Sequence, residues 1–153
     1  MINKKKLIEN ILNQPPINQN TEIDKKKTLA EKWFVNLRDQ ICNNFAKIEC
    51  NFKINNNFER VSEVKSPIFK KKKWDRDGGG GGVISIMKGD VFEKVGVNIS
   101  TVYGKFSDKF KSQIPGAEKT GDFWASGISV VAHMNNPFVP AAHMNTRFLV
   151  TGL

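Results

Sequence analysis

At 153 residues, 39% of them hydrophobic and 25% charged, the chain is long enough for one domain with a real core and short for two. Its formal net charge of +9 admits nucleic acid, an anionic membrane or an acidic small molecule as partner, without choosing among them. No apolar run approaches the roughly 20 residues of a membrane-spanning helix, so the composition predicts a soluble globular protein.

The chain opens with "MINKKKLIENILNQPP", basic but interrupted by Glu9, Asn10, Asn13 and Gln14. It lacks arginine and a small-residue cleavage site, which argues against both a secretory signal and a transit peptide. A cytoplasmic location is the expectation. Residues 1–20 read as a polar lead-in stopped by Pro15 and Pro16, and residues 21–153 as a single domain. Thr21 and Asp24 resemble a capping box. In "TLAEKWFVNLRDQICNNFAKIE", Leu29, Trp33, Phe34, Leu37, Ile41, Phe45 and Ile48 recur at steps of three and four, one apolar face of an amphipathic helix. Cys42 and Cys50 would lie about 12 Å apart along such a helix, too far for a disulfide. With no suitably spaced metal-ligand partner, they are expected to be reduced and packed as small apolar groups.

From about Asn51 the period changes. "FERVSEVKSPIFKKKKW" and "GGVISIMKGDVFEKVGVNISTVYG" read as strands, the second as a hairpin turning at Lys88, Gly89 and Asp90. Residues 105–122 form a polar connection with room for a short helix. "FWASGISVVAHM" and "AHMNTRFLV" alternate as two further strands. One helix followed by repeated strands predicts an α+β fold with an antiparallel sheet.

The charge is uneven: residues 1–73 hold 16 Lys/Arg against 8 Asp/Glu, and residues 74–153 hold 8 against 7. Within the basic half, "KKKK" at 70–73 runs into "WDRDGGGGG" at 74–82. The glycines are followed by neither a Lys-Ser/Thr pair nor a helix, so they form neither a P-loop nor a dinucleotide fingerprint. The residues by themselves favour a flexible loop and solvated lysines. A nucleic-acid-binding module using the lysines and Trp74 is the alternative from another class, by charge plus stacking.

Both histidines lie in "HMNNPFVPAAHMNTR". In strands, residues two apart share a face, so Ser129, Val131 and His133 point one way, and His143, Asn145 and Arg147 share a face opposite Met144, Thr146 and Phe148. If the loop is centred on Phe138, His133 lies opposite His143, Val131 opposite Asn145 and Ser129 opposite Arg147. That gathers a hydroxyl, two imidazoles, an amide and a guanidinium, a patch suited to an anionic, hydrogen-bonding ligand. His-x₉-His supplies only two ligands and does not by itself complete a metal site.

Three blocks, in order, resemble the oxygen-dependent coproporphyrinogen III oxidases: "WDRDGGGGG", "GDVFEKVGVNISTVYG" and "GISVVAHMNNPFVPAAHMNTRF". The resemblance covers the chain from about the first helix to Phe148. It implies a large antiparallel sheet flanked by helices. It also implies oxidative decarboxylation of two propionates of coproporphyrinogen III to vinyls, giving protoporphyrinogen IX with O2 as co-substrate. His143 matches the proton donor, and Ser129, Asn145, Thr146 and Arg147 match substrate-binding positions. His133 and His143 match metal ligands of bacterial members, so a divalent metal is a cofactor to consider. Val91 to Ser100 matches a segment tied to homodimer formation; no nucleic acid is expected as partner.

The chain departs from the family pattern at Met134, where proline is usual, and at Ala141, where threonine is usual; both flank the loop that aims His133. Family enzymes are also longer. Ending at "RFLVTGL", the chain is expected to be truncated at the C-terminus, lacking further histidines, other substrate contacts and a second dimer segment. A truncated, inactive porphyrin-binding relative is therefore a second expectation.

Overall fold

The computed structural model describes residues 22–56 and 68–152. Helix α1 (Glu22–Asn55) leads into β1 (Lys70–Asp75), β2 (Gly80–Met87) and β3 (Phe92–Lys105). A short helix α2 (Asp108–Lys111) precedes β4 (Asp122–Met134) and β5 (Ala142–Thr151). The five strands form one sheet in the order β1-β2-β3-β4-β5, and every neighbouring pair is antiparallel. The last three expected strand stretches, the hairpin turn at residues 88–90 and the short helix between β3 and β4 are present, and of the first expected strand the described part forms β1 from Lys70. The fold is α+β.

Helix α1 packs across one face of the sheet, against β3 and β4. Glu22 and Asp24 in its first turn and Lys53 in its last complement the helix dipole. Phe34, Cys42 and Ala46 meet Met87, Val95, Val97, Ile128, Val130 and Ala132, the inward residues of alternating strands. The helix runs to Asn55, past the expected change of period near Asn51, because its C-terminal half packs on the end of the β2–β3 hairpin through Phe45 and Glu49. Thr21 lies outside the described residues, as do residues 58–67 of the expected first strand.

The buried stripe of α1 is rotated from the expected one. Trp33 and Ile48 are 43% and 45% exposed, while Arg38 and Glu49 are buried. The helix has hydrophobic residues on more than one side, and the sheet decides which side is covered. Arg38 lays its stem on the core and turns its guanidinium to Asp39, at 3.0 and 2.9 Å. Lys71 of β1 donates to the same Asp39 oxygen at 3.0 Å. Both cysteines are free, and burial pushes the Cys42 thiol up to about 11 against the opposing charges of Lys71 and Arg38. It is therefore a packing group rather than a nucleophile.

The glycine run is ordered structure, not the expected loop. Gly80, Gly81 and Gly82 lie in β2, and the turn before them closes through Arg76 N–H to Gly80 O and Gly79 N–H to Arg76 O, both 2.9 Å. Arg76 holds this turn by donating to Tyr103 O at 2.9 Å and by standing over the Phe123 ring. The lysines of β1 are exposed, as expected. Lysine along an outer strand discourages pairing with other chains.

Candidate functional site

The register assigns every side chain to one of two faces. Opposite the face that α1 covers, Asn98, Ser129 and Asn145 stand in a row across β3, β4 and β5. The neighbouring row crosses all five strands: Trp74, Gly82, Ser100, Gly127 and Arg147. A third row holds Gly96, Val131 and His143, and Lys94 lies directly across from His133. Lys70 and Lys72 share this face through their partners Ile86 and Ile84. Among the described residues, no Asp or Glu holds a paired position on it.

A shallow cavity of about 200 Å³ opens over the first two rows, lined by Trp74, Asn98, Ser100, Ser129, Asn145 and Arg147. Its floor is flat because glycines interrupt the side chains. At Gly82 a Cβ would run into the Ile99 carbonyl and the Trp74 ring, so glycine lets the indole lie across the strand. Asn98 accepts from the Ser85 N–H at 3.2 Å, filling in where the β2–β3 ladder is interrupted. A larger cleft, about 420 Å³, lies on the other face between α1 and the sheet. It mixes Glu31 and Asp75 with Lys73, and none of the expected site residues lines it.

Ser129, His133, His143, Asn145 and Arg147 do share one face, as strand alternation predicted. The expected register, however, is off by two. Val131 pairs with His143, Ser129 with Asn145 and Gly127 with Arg147. A shift of two keeps every side chain on its face but moves His133 diagonal to His143. The reason is the loop: Asn136 Oδ1 accepts from Phe138 N–H at 2.9 Å and Asn136 O from Val139 N–H at 3.1 Å, which centres the reversal on Pro137. The Thr146 side chain is on the opposite face, beside Ile128. Both histidines, Asn145 and Arg147 are exposed, and Arg147 Nη2 lies 3.4 Å from Asn145 Oδ1.

Sequence reasoning missed Asn98, Ser100 and Lys94, and weighed Lys72 only within the lysine run beside Trp74. The first two were within reach: in "VGVNIS", Gly96, Asn98 and Ser100 alternate with Val95, Val97 and Ile99. The lysines carried no such signal. Val91 to Ser100 falls within and just before β3, whose two edges are both hydrogen-bonded, with Val95 and Val97 fully buried. For a metal, the donor set stops at two imidazoles: no group of three or more His, Cys, Asp or Glu is placed to hold an ion among the described residues. Nor is any described helix long and apolar enough to cross a membrane.

Fold and face together define a class: an antiparallel sheet with one face covered by a helix and one open face carrying Lys70, Lys72, Lys94 and Arg147, with no Asp or Glu at a paired position among the described residues. The sequence model of the coproporphyrinogen III oxidase family matches residues 29–152, and the chain belongs to that family. The chain is 51% identical over 127 residues to a protein of Rickettsia bellii named oxygen-dependent coproporphyrinogen-III oxidase, covering 83% of this chain and 43% of that one. Proteins of the same name from Rickettsia felis and Rickettsia rickettsii are also 51% identical, over 125 residues, covering 82% of this chain and 43% of theirs. The chain thus spans less than half the length of the curated relatives it matches.

Proposed function

We propose that the open face binds coproporphyrinogen III and forms part of the site of an oxygen-dependent coproporphyrinogen III oxidase. The observation that carries this reading is the composition of the face. Lys70, Lys72, Lys94 and Arg147 surround a floor of Gly82, Gly96 and Gly127 with no opposing carboxylate among its described paired positions. A tetrapyrrole with four carboxylates needs separated cations around a wide floor, and hydrogen-bond acceptors for its pyrrole N–H groups. Asn98, Ser129 and Asn145 offer the acceptors, and Arg147 the two-pronged grip on a carboxylate.

In the reaction, each propionate loses CO2 and a hydride equivalent, leaving a vinyl. The two electrons and the proton pass to O2, and one further proton completes hydrogen peroxide. His143 supplies that proton in this reading, from the row next to Ser129 and Asn145.

Two substitutions separate binding from chemistry. Arg147→Ala should weaken binding of coproporphyrin, the oxidised and stable analogue, by roughly tenfold to a hundredfold, since a charge-assisted hydrogen bond contributes about 1.5–3 kcal/mol. His143→Ala should leave that binding nearly unchanged and lower oxygen-dependent protoporphyrinogen formation. Fluorescence quenching reads the first and product fluorescence the second; a wild-type chain that quenches no coproporphyrin fluorescence would sink the reading. Because Trp74 shares the face with Lys70 and Lys72, single-stranded oligonucleotide is the competing ligand. Retention that survives in part as salt is raised would favour it.

A further inference from the structure

Glu49 is 1% exposed, and it has no part in the open face. Its carboxylate accepts from three consecutive backbone N–H groups of the β2–β3 turn: Asp90 at 2.9 Å, Val91 at 3.1 and 3.2 Å, and Phe92 at 2.8 Å. Converging N–H groups make an anion cradle, and here the anion is the chain's own. Gly89 is glycine because the Glu49 carboxylate stands where its Cβ would be.

The same turn is gripped from the other side. Asn135 Nδ2 donates to the carbonyls of Gly89 at 2.9 Å and Asp90 at 2.8 Å, and Asn135 N–H donates to Val91 O at 2.9 Å. Asn135 stands two residues after His133 and begins the loop to His143. Beside it, β3 bulges between Phe92 and Lys94, which sends Phe92 into the core and sets Lys94 opposite His133.

We propose that Glu49 is a positioning residue for the histidine loop. By holding the N–H side of residues 90–92, it fixes the carbonyls from which Asn135 hangs, and so fixes where His133 leaves the sheet. The relevance to catalysis rests on the reading of the open face given above; the positioning does not.

The test follows the ring nitrogens of the chain's two histidines by NMR, with no porphyrin present. Glu49→Gln and Asn135→Ala should both displace the His133 signals and raise amide exchange at residues 90–92 by roughly tenfold to a hundredfold. Ala30→Gly, near the start of the same helix and packed on the core, should lower the melting temperature and leave His133 in place. His133 signals unmoved in both clamp variants, or moved equally by Ala30→Gly, would overturn the proposal. Should Glu49→Gln fail to fold, the exposed Asn135→Ala decides by itself. Because the readout involves no coproporphyrin, failure of the functional reading leaves this result interpretable.

Discussion

Arg147 and Asn145 share one long hydrogen bond of 3.4 Å, which leaves most of the five guanidinium donors for a ligand. Pairs of this kind are legible in a sequence, because residues two apart in a strand must share a face. Contacts between distant residues are not: nothing in "IECNF" or "MKGDVF" says that Glu49 and Gly89 touch. Ser85 shows the opposite case, a polar group without a use. It is fully buried, and among the described residues its hydroxyl has no hydrogen-bond partner, although its N–H is taken by Asn98. A buried, unpaired hydroxyl costs about 1–3 kcal/mol, so Ser85→Ala should stabilise the fold by about 1 kcal/mol in denaturant melts. A loss of stability instead would mean that the hydroxyl binds a buried water.

At the scale of elements, β2 to β5 are legible in the sequence nearly residue by residue, because a period of two survives any partner. The helix is less so. Its existence followed from the spacing of Phe34, Leu37, Ile41 and Phe45, but which side is covered depends on where β3 and β4 pass beneath it. The helix is also tied to the outer strand by charge. Burial raises the Asp39 carboxyl, but the hydrogen bond from Lys71 and the Arg38 charge outweigh it, so its pKa falls below the usual 3.8. A lowered native value contributes stability above the unfolded pKa that is lost as pH falls through the native one. Asp39→Asn should therefore melt below wild type near neutrality, and the difference should close as pH drops below 3.8. A gap that persisted unchanged well below that pH would assign it to packing rather than charge.

For the whole molecule, the basic residues before Trp74 lie far in sequence from the histidines, yet Lys70 and Lys72 join the same open face as Arg147. The outer strands are about 19 Å apart across four strand spacings, a span suited to a ligand with several anionic arms. Neighbouring lysines make a parity test. Lys72→Gln, on the open face, should weaken coproporphyrin binding a few-fold, in line with about 0.5–1 kcal/mol for an exposed ion pair, and the loss should shrink as salt is raised. Lys73→Gln, on the face toward α1, should have a much smaller effect. Equal losses from both would mean that only net charge matters. The fold class, strands β2 to β5, the shared face of Ser129, His133, His143, Asn145 and Arg147, and the family resemblance are all legible along the chain, because they depend on local periodicity and on contiguous motifs. The β4–β5 register, the order within the glycine run, the burial of Glu49 and the gathering of Lys72, Lys94, Asn98 and Ser100 on one face emerge only on folding. Those depend on loop hydrogen bonds and on pairing between residues remote in sequence, which leave no periodic trace.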